Sequence, residues 1–110
     1  MRKSNLKDMI KGWFIGQFEP TLFYSKDVEV AIKKYKKEDA EERHHHRVAT
    51  EITVIVSGKV RMNDQVYKED DIVIIEPFES TDFFALSDSV TAVVKFPGAL
   101  NDKFDGEFDS

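Results

Sequence analysis

The sequence predicts an all-β domain, a sandwich or barrel of about eight short strands. Over residues 28–33, apolar side chains alternate with other residues, which is the period of a half-buried strand. Short runs of this kind recur along the chain and are separated by turn signals such as Ser57-Gly58. Convincing helical periodicity stops at residue 11. Since 110 residues make one domain's worth of chain, we expect a single β-domain.

The elements follow in order from a short helical turn near the start. Leu6, Met9 and Ile10 have helical spacing, and Gly12 stands where a helix would end. An aromatic strand over residues 13–18 comes next. Further strands are expected over residues 28–37, 51–56, 59–62, 65–67, 71–76, 81–86 and 90–96.

Two of these elements carry specific expectations. Residues 59–67 form a hairpin candidate, because Asn63 and Asp64 separate its two short runs. Residues 71–76 are apolar at both odd and even positions and end at Pro77. This pattern predicts a central strand that is buried on both faces.

Composition excludes several classes of protein. The chain has 16 Lys and Arg against 21 Asp and Glu, a net charge of −5, whereas a general nucleic-acid binder carries a basic patch. No run approaches the ~20 apolar residues of a membrane helix. Residues 1–11 are polar and charged, unlike a secretory signal. With no cysteine there are no disulfides, and a reducing cytoplasm is the simplest location. We therefore expect a cytoplasmic protein that binds neither nucleic acid nor membrane.

Three consecutive histidines, His44, His45 and His46, carry the clearest chemical signal. Because side chains i and i+2 of a strand point to the same face, His44 and His46 project together and His45 points outward. Glu51 begins the next strand, five residues past His46. Two imidazoles and one carboxylate with open positions form the ligand set used by non-haem iron. A salt bridge from Glu51 to a neighbouring arginine is the alternative.

The histidine segment resembles the first motif of the cupins. That motif has His, any residue, His, three or four residues, Glu, six residues and Gly. His44, His46, Glu51 and Gly58 fall at these spacings, and the order of the surrounding strands agrees over roughly residues 25–96. The resemblance implies a small single-domain cupin, an antiparallel β-barrel of the double-stranded β-helix or jelly-roll type.

Residues 71–82 resemble only half of the second cupin motif. Pro77 is in register, but Asp71 and Glu79 stand where the family has glycine. Asp82 stands where the family has its last metal-ligand histidine. Asp82 is therefore either an oxygen ligand in place of that histidine or a surface aspartate. We expect its face of the strand to be interior.

The resemblance implies one divalent ion, which would be iron, manganese, zinc or nickel. Since the chain has no cysteine, its ligands must be histidine and carboxylate. The expected metal ligands are His44, His46, Glu51 and Asp82.

A cupin fold does not by itself give a reaction, so three functions stay open. The first is a metal-dependent enzyme acting on a small polar molecule, for which the resemblance suggests a sugar or nucleotide sugar and an isomerase, dioxygenase or lyase reaction. The second is a non-catalytic ligand-binding or regulatory cupin, with or without metal. The third is metal-free acid–base chemistry that resembles the cupin-fold sugar epimerases. No residue outside the metal set is singled out as a general acid or base.

The expected organisation is a helical or flexible segment over residues 1–12, the barrel over 13–97 and an acidic tail over 98–110. Phe104 and Phe108 would pin this tail to the body or to another subunit, and a partly disordered tail is the alternative.

The aromatic content predicts a homodimer. Nine Phe, three Tyr and one Trp exceed what the interior of one small barrel holds, and surplus apolar surface tends to mark an interface. The apolar residues 71–76 and the resemblance to small cupins point the same way. One aromatic set is expected in the core or the dimer interface rather than in a substrate cage: Trp13, Phe14, Phe18, Phe83 and Phe84.

Overall fold

The computed structural model describes residues 1–109, and most of its regular structure is β-strand. A single 3-10 turn, Leu6–Asp8, precedes the strands. The strands are β1 Trp13–Gly16, β2 Phe23–Tyr24, β3 Glu29–Tyr35, β4 Ala40–His45, β5 Thr50–Ser57, β6 Lys59–Met62, β7 Gln65–Lys68, β8 Ile72–Ile75, β9 Ser80–Ala85, β10 Ser89–Phe96 and β11 Phe104–Asp105. The predicted all-β class is confirmed.

The strands form two sheets that pack face to face. The six-stranded sheet has the order β2-β1-β3-β10-β5-β8, and the five-stranded sheet has the order β11-β4-β9-β6-β7. Neighbouring strands are antiparallel except for the short β1–β2 pair. Side chains of both sheets meet in one apolar core that consists of Ile55, Val60, Met62, Ile75, Phe83 and Ala85.

The predicted hairpin at residues 59–67 is confirmed. β6 and β7 pair with Met62 opposite Gln65, so only Asn63 and Asp64 make the turn. Both turn residues have positive φ, 48° and 64°. This is the conformation that two-residue hairpins require, and Asn and Asp adopt it more readily than most residues.

The expectation that residues 71–76 form a central strand is wrong. Within residues 1–109, β8 is the last strand of its sheet and pairs only with β5. Val73 packs against the core, whereas Ile72 and Ile74 are 68% and 55% exposed. β8 is apolar at odd and even positions because one of its sides faces the core and its outer side is apolar as well. Proteins usually protect such a sheet edge with charged side chains.

Residues 98–109, here called the closing segment, run back along the five-stranded sheet. β11 pairs with β4, so that Phe104 lies opposite His45 and Asp105 opposite His44. Asp102 is buried, with 7% of its surface exposed. Of the three alternatives for this segment, attachment to the body of its own chain is the one that the pairing of β11 with β4 supports.

Candidate functional site

A cavity of 1070 Å³ lies between the two sheets. Its walls come from β1, β3, β5 and β10 of the larger sheet, from β4, β6, β9 and β11 of the smaller one, and from residues that precede β1. Many of the lining side chains are polar or charged, in contrast to the core. The ionisable side chains of the lining include Lys33, Glu41, His44, His46, Glu51 and Lys95.

The end of β4 brings two imidazoles together, as the sequence predicted. His44 lies on β4 between β9 and β11, opposite Thr81 and Asp105. His46 follows directly after the strand and is 5% exposed. The two rings are 5.4 Å apart between centroids and nearly perpendicular, at 86°. Both residues line the cavity.

The protonation of these rings suits binding through nitrogen. The Nδ1 atom of His44 lies 3.0 Å from the Glu42 carbonyl oxygen, which can only accept, so Nδ1 carries the proton. In the neutral ring this leaves the Nε2 lone pair free. Burial, with smaller effects of Lys95 and His44, lowers the pKa of His46 to about 4. His46 is therefore neutral at pH 7 and able to donate a lone pair.

Glu51 lies on the opposite sheet of the same cavity. It is near the start of β5, where it faces Lys95 of β10 and Ile75 of β8 across the ladder. Burial raises the pKa of Glu51, although Lys95 and His44 act in the other direction. The Thr53 hydroxyl donates a long hydrogen bond of 3.5 Å to its carboxylate.

The arginine alternative for Glu51 is not what the structure has. Among the charged groups that lower its pKa, Lys95 has the largest effect, and Lys95 is its partner across the β5–β10 ladder. Arg43 instead lies 3.8 Å from Asp82, and Arg47 lies over the ring of Phe104 at 3.8 Å.

The donor set fits a divalent ion by its chemistry but is not assembled around a common point. Two imidazoles and a carboxylate are ligands that suit iron, manganese, zinc and nickel. His44, His46 and Glu51 all line the cavity. Over residues 1–109, however, no three His, Asp or Glu side chains come close enough together to hold an ion.

Asp82 does not join the other three residues. Its carboxylate accepts a 2.8 Å hydrogen bond from the backbone N–H of Asn63 and lies 3.8 Å from Arg43, and its side chain is 48% exposed. The expectation that its face of β9 is interior is wrong, because every second residue from Thr81 to Ala85 is the buried one. Thr81, opposite His44, is the β9 residue that lines the cavity there.

His45 faces away from the cavity, as predicted, but it is not exposed. Only 2% of its surface is accessible, because the closing segment covers it. Its Nδ1 atom is 2.8 Å from the Gly106 carbonyl oxygen, and its ring stacks on Phe104 at 5.5 Å.

A second polar group in the cavity was not predicted. The Tyr35 hydroxyl donates a hydrogen bond to Glu41, and Lys33 lies 3.9 Å from the same carboxylate. Burial alone would raise the pKa of Glu41, but Lys33 and Tyr35 together lower it, so Glu41 is ionised. Burial and Glu41 raise the pKa of Tyr35, which therefore stays protonated.

Lys33 and Lys95 converge on Trp13. Their ammonium nitrogens lie 5.3 Å and 4.7 Å from the centre of its ring, within cation–π range. Lys95 also lies 3.7 Å from Glu29. Trp13 thus lines the cavity, as do Phe18 and Phe83 of the predicted aromatic set. The sequence did contain a signal for the inward position of Lys33 and Tyr35. Every second residue of a strand lies on the same side, so these two residues share the side of buried Ala31 in β3.

Comparisons with known proteins identify the fold. No family model matches the chain, and no curated protein matches it. Solved structures do match it. A protein with a double-stranded β-helix domain from Klebsiella pneumoniae is 18% identical, with a TM-score of 0.68, over 76% of this chain and 74% of that one. An RmlC-like cupin from Shewanella frigidimarina is 14% identical, with a TM-score of 0.65, over 70% and 72% of the two chains.

A larger enzyme is similar as well. The DMSP lyase DddQ from Ruegeria pomeroyi is 19% identical, with a TM-score of 0.64, over 81% of this chain but only 46% of its own. At these identities the matches establish the fold alone. The chain therefore has the double-stranded β-helix fold of the cupins. Within residues 1–109, no helix has the length and apolar character needed to cross a membrane.

Proposed function

We propose that the chain binds a small polar molecule in its cavity beside one divalent ion held by His44, His46 and Glu51. The observation that carries the proposal is the pair of imidazoles, one of them buried and held neutral, in the same cavity as a buried carboxylate. Asp82 is no longer included, because its carboxylate is engaged outside the cavity lining. The expected ion is iron, manganese, zinc or nickel.

The other polar groups of the cavity favour a ligand with acidic and hydroxyl groups, such as a sugar or nucleotide sugar. Lys33 and Lys95 offer ammonium groups to an acidic group of the ligand. The ionised Glu41 accepts hydrogen bonds from hydroxyl groups, and Tyr35 keeps it in place. A bound ion supplies Lewis acidity or an oxygen-binding centre through its free positions, which suits an isomerase, dioxygenase or lyase.

Titration calorimetry with matched variants tests this proposal. Metal-free protein is titrated with Zn²⁺ or Mn²⁺ at pH 7.5, and we expect one ion per chain. His46→Ala should lose most of the affinity, whereas Asp82→Asn should keep it, because it alters a partly exposed carboxylate outside the cavity lining. Equal loss in both variants would return Asp82 to the ligand set, and no loss in His46→Ala would reject the site.

A second candidate is a metal-free cavity that binds a ligand or performs acid–base chemistry. It is favoured by the position of Lys95 opposite Glu51, which already places a positive charge beside that carboxylate. The raised pKa of Glu51 would also allow it to carry a proton. Binding of a sugar acid or nucleotide sugar that is unchanged by EDTA would favour this candidate over the metal-dependent one.

A homodimer remains a proposal, and the outer face of β5 and β8 is the surface we assign to it. Ile72, Ile74 and Val56 are exposed there, and Ile52 lies beside Ile74 in the ladder. β8 has an unpaired edge within the described chain. A second copy covers both features when the two β8 strands meet about a two-fold axis. Location in the cytoplasm likewise stays a prediction.

A further inference from the structure

The carboxylate of Asp102 holds the loop between the two halves of the proposed metal site. One oxygen, Oδ1, accepts hydrogen bonds from the backbone N–H groups of Arg47 at 2.9 Å and Val48 at 3.1 Å. The other, Oδ2, accepts from Val48 at 3.2 Å and Ala49 at 2.9 Å. Three consecutive backbone N–H groups therefore converge on one buried side chain, and such a concavity binds anions well.

The loop that Asp102 holds lies between the proposed metal ligands in the chain. Residues 47–49 lie between His46, after β4, and Glu51 near the start of β5. β4 belongs to one sheet and β5 to the other, so the loop connects the imidazole side of the cavity to the carboxylate side. The three N–H bonds outweigh burial and lower the pKa of Asp102, which keeps it ionised.

A second set of contacts also holds the backbone around this loop. Arg47 lies over the ring of Phe104 at 3.8 Å, and that ring stacks on His45. The backbone N–H of Phe78 donates a 2.7 Å hydrogen bond to the carbonyl of His46. With Asp102 in place, the backbone on each side of His46 is held by groups that do not face the cavity.

We propose that Asp102 is a positioning residue for the metal site, acting through the 47–49 loop on His46 and Glu51. The expected effect of Asp102 on metal affinity rests on the proposed function. An uncharged amide at this position keeps one acceptor oxygen but turns an N–H₂ group toward backbone N–H donors. The loop then loses at least one of its hydrogen bonds, and the backbone that follows His46 is less firmly held.

The test compares Asp102→Asn and Asp102→Ala with Glu107→Gln, which removes an exposed carboxylate from the same segment. Partners outside the first ligand shell typically contribute about 10- to 100-fold to metal affinity. We expect a loss of about that size for Co²⁺ in Asp102→Asn, together with an altered Co²⁺ absorption spectrum. Glu107→Gln should match the wild type. If Asp102→Ala does not fold, Asp102→Asn decides, since it keeps the side-chain volume.

Two metal-free measurements separate this inference from the proposed function. Amide hydrogen exchange at residues 47–49 should speed up in Asp102→Asn, and the imidazole ¹⁵N shifts of His46 should move. If the wild type binds no metal, the proposed function fails, and these two signals still judge the positioning role. A lower Tm with unchanged His46 shifts, or with unchanged Co²⁺ affinity where Co²⁺ binds, would overturn the inference.

Discussion

Acid should weaken the fold through His46, and the change His46→Gln should remove that part of the pH dependence. His46 is 5% exposed, and burial, with Lys95 and His44 nearby, lowers its pKa from 6.5 to about 4. Unfolding exposes the ring and restores its ordinary pKa. Between these two pKa values the unfolded chain therefore binds more protons than the folded one, so stability falls as the pH falls.

The magnitude follows from the two pKa values. The pKa of His46 falls from 6.5 in the unfolded chain to about 4 in the folded one, and each pKa unit corresponds to 1.36 kcal/mol. The free energy of unfolding is therefore ~3 kcal/mol lower at a pH below both values than at a pH above both. The folded state keeps this stability above pH 6.5 and loses it progressively down to pH 4. Between pH 7 and pH 5, the free energy of unfolding should drop by about 2 kcal/mol on account of His46.

Urea unfolding at pH 7 and pH 5 in the presence of EDTA measures this difference. The chelator removes any contribution of metal, and comparison with His46→Gln subtracts the other titrating groups. The wild type should lose about 2 kcal/mol more than the variant over this interval. Equal losses in the two proteins, within about 0.5 kcal/mol, would refute the buried, neutral state of His46.

Three further changes test other parts of the structure. Tyr35→Phe removes a hydrogen bond to the ionised Glu41 and should lower stability by about 1–2 kcal/mol in thermal or urea unfolding; no change would mean that water replaces the hydroxyl. Gly58→Ala should lower the Tm, because Gly58 has φ +87° and an added Cβ would lie 2.4 Å from the Asp88 carbonyl oxygen; an unchanged Tm would contradict this turn. Ile74→Lys should convert the proposed dimer to a monomer in light scattering while the far-UV spectrum stays the same, and a wild-type protein of 12.7 kDa would reject the dimer.

Local sequence patterns were sufficient for much of the fold and for part of the site. Strands are recognised from side chains that alternate along a few consecutive residues, and the Asn63-Asp64 turn is recognised from its own two residues. The strands and this turn are both present as expected. The projection of His44 and His46 to one side follows from the two-residue period of a strand, and Glu51 lines the same cavity.

The errors arise where the answer depends on pairing between distant strands. The apolar composition of β8 does not reveal whether a second strand lies beside it, and here none does within the described residues. The face of β9 that carries Asp82 was expected to be interior, but Phe84, which shares this face, lies under Arg61 on the outer side. The Tyr35–Glu41 contact joins two strands of different sheets, which no local pattern predicts.

Elemental analysis of the protein purified without chelator or nickel resin tests the proposed metal site most directly. His44, His46 and Glu51 predict close to one divalent ion per chain in the wild type and in Asp82→Asn, and almost none in His46→Ala. The metal site would be contradicted if the wild-type protein carried no ion and gained none when iron, manganese, zinc or nickel was supplied. Ligand binding or acid–base chemistry in a metal-free cavity would then be the proposed function.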